Sequence, residues 1–217
     1  MPDFEHARRT MVDNQLRTSN VTDRRVLAAF GDVPRERFVP AERQALAYVD
    51  VEPPLGAGRE LAAPAPFAKL LQLAGIEHTD RVLDVGAGTG YSTAVLARLA
   101  AEVVGLESDP ALAAKARDNL VALGAGNAKI VEASVDGSGR YGAPFDVIVV
   151  EGAVETVPEG LFHQLKDGGR LVALLSSGVT AVANIFVKSG KDVASRAEFN
   201  ASLPLLPVAA HGEEFVF

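Results

Sequence analysis

From Arg81 onward, apolar and polar positions come in alternating blocks. Apolar runs at 81–85, 102–107, 128–132, 145–150 and 169–175 read as strands, and the segments 90–100, 110–123 and 158–165 between them read as helices. Val147-Ile148-Val149-Val150 has no polar interruption, which suits a strand buried on both faces of a parallel sheet. The rhythm then changes. Residues 181–188 and 193–199 are extended runs flanking Ser189-Gly190-Lys191-Asp192, and they predict an antiparallel hairpin.

The first part of the chain has a different pattern. Phe4, Ala7, Met11 and Leu16 recur at helical spacing, which predicts a helix over about 1–20. Thr22 is placed to cap a second helix running to about Phe30, with Gly31 ending it. A turn over Pro34–Pro40 leads to a helical segment over 41–47. Residues 51–58 hold two prolines and two glycines and predict a loop. Pro64 opens a helix over 65–74 that stops at Gly75. The expectation is one α/β domain over 1–217: a mostly parallel sheet with an antiparallel edge hairpin over 61–217, and a helical cap over 1–60. The tail Phe215-Val216-Phe217 is expected to pack on the sheet edge or to fray.

The chemistry gathers at Arg81–Tyr91, RVLDVGAGTGY, a strand ending in an acid, a glycine loop and a helix start. Such a loop lets a ligand touch the main chain, and the free N–H groups of the following helix point at it. A dinucleotide site needs G-x-G-x-x-G, and here the third glycine is misplaced. Asp84, two residues before Gly86, would repel a phosphate and suits a cationic or hydroxyl-rich ligand such as S-adenosylmethionine. Glu107 closes the next apolar run, where an acid can take two ribose hydroxyls.

Composition narrows the choice. The chain of 217 residues has no cysteine, which removes disulfides and cysteine nucleophiles and fits a cytosolic protein. Its four histidines, at 6, 78, 163 and 211, lack ligand spacing, so no metal is expected. A net charge of −7 argues against nucleic acid as a partner, and no apolar run approaches membrane-spanning length.

Several stretches together resemble the protein-L-isoaspartate O-methyltransferase family. They are Met11–Leu16, Val33–Pro40, Ala47–Asp50, Asp84–Tyr91 and Gln164–Val172, in an order and spacing that cover roughly 9–210. The resemblance implies a Rossmann-like class I methyltransferase fold and S-adenosylmethionine as cofactor, with S-adenosylhomocysteine as product. It also implies methylation of the isoaspartyl carboxylate in damaged proteins. Carried over by position, Asp84, Val85, Gly86, Ala87, Gly88, Thr89, Gly90, Tyr91, Glu107, Ser108, Ser134 and Glu151 form the cofactor site.

The chain departs from that family at three places. The family's active-site serine falls at Ala62, and no hydroxyl lies between Gly56 and Phe67. The acid expected after the third strand falls at Ser134, with Asp136 two residues further on. Glu151 stands where a small or hydroxyl residue is expected. A carboxylate acceptor is already ionised and needs placement more than a base, so Ala62 lowers activity without abolishing it. Arg59 offers a donor fork that fits a carboxylate, or is a solvated loop charge. Tyr91 could stack on a ligand or fill the core. Asp109-Pro110 reads as a helix cap, and His163 as a surface residue. Three functions stay open: isoaspartyl methyltransferase, methyltransferase on another acceptor, and a cofactor-binding module without catalysis.

Overall fold

The computed structural model describes residues 3–139, 141–177 and 180–206. The 215–217 tail lies outside them. The N-terminal stretch is helical as expected, but its winding changes along its length. An α-helix, α1 (Phe4–Met11), capped by Asp3, passes into a wider π turn at Val12–Leu16 and a 3-10 turn at Arg17–Ser19. It stops at Asn20, which adopts φ 65. The next helix, α2 (Arg24–Asp32), is capped by Asp23, whose carboxylate accepts from Arg25 N and Val26 N, and not by Thr22. Gly31 lies inside that helix. The predicted segment over 41–47 is a 3-10 helix at Ala41–Leu46.

The loop predicted at 51–58 is partly regular. A short antiparallel pair forms there, β1 (Pro54–Gly56) with β2 (Arg59–Glu60), and it delivers Arg59 to the site. Pro64 opens α3 (Pro64–Ala74), and Gly75 closes it at φ 55.

Seven strands then form one sheet in the order β5-β4-β3-β6-β7-β8-β9. They are β3 (Arg81–Val85), β4 (Glu102–Glu107), β5 (Ala128–Glu132), β6 (Phe145–Val154), β7 (Leu165–Ser176), β8 (Ala181–Ser189) and β9 (Asp192–Ala201). The first five are mutually parallel, and β8 and β9 form the antiparallel edge hairpin. The helices between the parallel strands are α4 (Tyr91–Leu96), α5 (Pro110–Ala122) and α6 (Glu159–His163). Asp109 caps α5 as its position before Pro110 suggested.

Each sheet face carries its own core. Leu83, Val104, Ile148 and Leu171 pack on one face with Leu161 of α6. Val82, Val103, Val147 and Val172 pack on the other with Phe67, Val95 and Ala113 of α3, α4 and α5. Met11, Leu16, Phe30 and Phe38 of the N-terminal segment join that second core. Among the described residues no helix is long and apolar enough to cross a membrane.

Strand order reverses at β3, with β4 on one side and β6 on the other, so a crevice opens at their carboxyl ends. Asp84, Glu107 and Glu151 all arrive there.

Candidate active site

The glycine loop leaves β3 at Gly86 with φ 91, and Gly88 and Gly90 follow at φ 54 and 91. At Gly90 a Cβ would meet the Ala116 Cβ at 3.0 Å, so glycine permits α4 and α5 to approach closely.

Glu107 organises the crevice. Its carboxylate is fully buried. Oε2 accepts from Gly88 N at 2.7 Å and Oε1 from Asp109 N at 3.0 Å. Arg59 completes the set, with Nη1 donating to Oε2 at 2.9 Å and Oε1 at 3.2 Å. Arg59 Nη2 donates to the Gly86 carbonyl at 2.8 Å. Arg59 is only 7% exposed, so the reading of a solvated loop charge does not hold.

Asp84 is fully buried one strand away. Its Oδ2 accepts from Ser92 Oγ at 2.7 Å and Thr93 Oγ1 at 2.6 Å, while Oδ1 is buried with no hydrogen-bond partner. Burial raises its pKa to about 6; the Thr93 and Ser92 hydroxyls oppose the rise, the charge of Glu107 adds to it, and Arg59 opposes it.

Glu151 enters from β6, where the pairing with β7 slips between Val149 and Ala153. Its Oε1 is likewise buried without a partner. Burial pushes its pKa well above the usual carboxylate range. The charge of Asp84 pushes the same way, and Arg59 and Arg35 pull it back.

The other predicted positions divide. Tyr91 is 1% exposed, and its ring sits among Phe30, Phe38 and Phe67, so it fills the core. The Thr89 hydroxyl turns away from the crevice and donates to the Phe38 carbonyl at 2.6 Å. Val85 and Ala87 are buried, whereas Ser108 and Ser134 are exposed at the ends of β4 and β5. Asp136 binds its own loop, accepting from Ser138 N at 2.8 Å. His163 is exposed on α6, as expected. Ala62 is buried between β2 and α3.

Two contributors are not legible as site residues in the sequence. Arg35 is fully buried, with its guanidinium carbon 4.9 Å from the centre of the Tyr91 ring. Its Nε donates to the Ala47 carbonyl and its Nη2 to the Ala62 carbonyl, both at 2.7 Å, so it fixes the segment that carries Ala62. Leu206 packs over the loop, and a Cβ on Gly86 would meet its Cδ1 at 2.7 Å. The segment is held by Ala153 N donating to the Pro204 carbonyl at 2.8 Å and Leu206 N to the Ala153 carbonyl at 2.9 Å.

Residues 6–206 match the family model described as Protein-L-isoaspartate(D-aspartate) O-methyltransferase. The chain belongs to this family. Protein-L-isoaspartate O-methyltransferase 2 of Anaeromyxobacter sp. strain Fw109-5 is 44% identical over 172 residues, covering 77% of this chain and 69% of that protein. Protein-L-isoaspartate O-methyltransferase of Koribacter versatilis is 44% identical over 178 residues, covering 80% and 78%. A solved protein-L-isoaspartate O-methyltransferase matches with a TM-score of 0.79 at 26% identity, over 92% of this chain and 65% of that one. The fold is also that of a Plasmodium falciparum protein solved with S-adenosyl-L-homocysteine, at a TM-score of 0.78 and 22% identity, over 92% of this chain and 97% of that one. Members of the protein-L-isoaspartate O-methyltransferase family are enzymes that use S-adenosylmethionine and leave S-adenosylhomocysteine.

Proposed function

We propose that this protein transfers the methyl group of S-adenosylmethionine to the carboxylate of isoaspartyl residues in damaged proteins. The observation that carries the proposal is the pair of acids at adjacent strand ends around a glycine loop, within a chain that matches the family over 6–206. The donor set fits the cofactor. Gly86–Gly90 offer main chain to a ligand that carries no phosphate, Glu107 can accept from ribose hydroxyls once Arg59 gives up its two oxygens, and the orphaned Asp84 Oδ1 can accept from an ammonium. Ser108 and Ser134, exposed at the next strand ends, flank the ribose and adenine side. The whole of 1–217 acts as one unit in this reading, with 1–60 covering the site.

The bound cofactor supplies an electrophilic methyl on sulfur. The chain's own part is placement. An ionised acceptor carboxylate attacks without a general base, so orientation and exclusion of water carry most of the rate. Ala62 stands at the family's serine position and gives the acceptor no hydroxyl. Its loss costs about 1.5–3 kcal/mol, about 10- to 100-fold in rate. Arg59, three residues earlier, is the nearest donor fork in the sequence for the acceptor. Burial pushes Glu151 towards its neutral form, which removes a charge that would otherwise repel an anionic acceptor.

The test is transfer of labelled methyl to an isoaspartyl peptide, with the aspartyl peptide as control and Ala62→Ser alongside. Labelled isoaspartyl product, increased by Ala62→Ser, is expected. S-Adenosylhomocysteine binding with no product from either form would rule the acceptor out.

A further inference from the structure

The Glu107 carboxylate has no acceptor capacity left. A carboxylate offers about four lone-pair directions. Here Oε1 takes Arg59 Nη1 and Asp109 N, and Oε2 takes Arg59 Nη1 and Gly88 N. The two backbone donors are fixed by the loop and the α5 start. The Arg59 side chain is the one donor to Glu107 that can leave without the loop unfolding. Ribose hydroxyls and Arg59 therefore compete for the same two oxygens.

A displaced Arg59 cannot stay bare in a buried crevice, because an uncompensated buried charge is costly. It needs another anion. Glu151 and Asp84 are within electrostatic reach, but burial favours the neutral form of Glu151, and in the reading above the cofactor's ammonium takes the free Asp84 oxygen. The other anion that the reaction brings is the acceptor's carboxylate, and it must arrive next to Ala62. Arg59 is three residues from Ala62, and Arg35 pins that segment through the Ala62 carbonyl. Charge is then conserved: one guanidinium exchanges one carboxylate for another.

We propose that Arg59 serves both ligands in turn, holding Glu107 in the free protein and the acceptor's carboxylate once the cofactor's ribose occupies Glu107. The second half rests on the isoaspartyl reading above; the first half does not. Cofactor and acceptor then bind in that order, and the acceptor site is created by filling the cofactor site.

The experiment is calorimetric titration of S-adenosylhomocysteine, and of an isoaspartyl peptide with and without it, into wild type, Arg59→Gln and Arg59→Lys. Circular dichroism checks that each variant is folded, and Arg59→Lys keeps the charge while losing the fork. Arg59→Gln is expected to bind S-adenosylhomocysteine about tenfold tighter than wild type, the worth of one hydrogen bond to a charged group. Wild type is expected to bind the peptide only when S-adenosylhomocysteine is present. The loaded Arg59→Gln protein should lose tenfold or more of that peptide affinity, with Arg59→Lys between. Equal or weaker S-adenosylhomocysteine binding by Arg59→Gln overturns the competition. Unchanged peptide affinity in loaded Arg59→Gln overturns the acceptor role. Tighter cofactor binding with no peptide binding in any form upholds the competition and overturns the acceptor half together with the isoaspartyl reading.

Discussion

Asp84 and Glu151 reach the same crevice from strands β3 and β6, and the charge on Asp84 raises the pKa of Glu151, second only to burial. Each keeps one carboxyl oxygen buried and without a hydrogen bond. The crevice thus holds two acids whose ionisation is opposed by their surroundings, and its behaviour depends on pH.

Asp84 sets the first dependence. Its folded pKa, about 6, lies above the ordinary 3.8, so the folded state binds the proton more tightly than the unfolded one. Stability therefore falls as pH rises from about 4 through 6 and levels off above. Replacement by Asn removes the ionisation. Asp84→Asn is expected to melt higher than wild type at pH 8, by up to about 2–3 kcal/mol of stability. The gap should shrink as pH is lowered towards 4. A gap that does not change between pH 4 and 8 in ligand-free melts would contradict the assignment.

Glu151 sets the second. The acceptor carboxylate is ionised above about pH 4. Glu151 is neutral below its raised pKa, and in the proposed reaction its charge above that pKa opposes an anionic acceptor. Peptide affinity in the presence of S-adenosylhomocysteine is expected to fall as pH rises through that transition. Glu151→Gln should flatten the fall. Identical pH profiles for the two proteins would remove Glu151 from acceptor binding.

Arg35 is a structural arginine that ties two segments together through their backbone carbonyls. Arg35→Ala is expected to destabilise the protein by about 3–5 kcal/mol, because two buried carbonyls lose a charged donor and the Tyr91 ring loses its cation. Arg35→Lys cannot bridge both carbonyls with one ammonium and should recover only part of the loss. Urea unfolding of the three proteins measures this directly.

Tyr91 gives the contrasting case. Its ring is walled in by three phenylalanines, so Tyr91→Phe should leave S-adenosylhomocysteine affinity unchanged. A marked loss of affinity would mean that the hydroxyl reaches the ligand.

Much of the fold is written in local pattern. The parallel strands appear as apolar runs, and the Ser189–Asp192 link announces the edge hairpin. Asp84 and Glu107 are legible because an acid at the end of an apolar run must lie at a strand's carboxyl end. Boundaries fail where tertiary pairing decides. Strand β6 runs on to Val154 because Ala153 pairs with Leu174 past the irregularity at Glu151-Gly152. Strand β7 begins at Leu165 because that residue pairs with Phe145, which shortens the predicted helix over 158–165. Asp23 takes the cap from Thr22, whose backbone N–H and that of Asp23 bind Gln72 Oε1 instead. Arg35 stays hidden for another reason: its partners are backbone carbonyls, which leave no trace in residue identity. Arg59 meets Glu107 from 48 residues away, and no local pattern links them.

The glycine loop is covered by two segments that are distant from it in sequence. Arg59 comes from before it, and Leu206 from well after it, on the far side of the sheet's last strand. Loops closed by such remote contacts form late, since the chain must order most of its length before they are rewarded. During synthesis, then, β3, β4 and β6, the strands that frame the crevice, are all made before Leu206 has been added. For that interval the nascent crevice lacks its Leu206 cover and is open to small molecules, so a cofactor present during synthesis can act as a folding partner before it serves as a reagent.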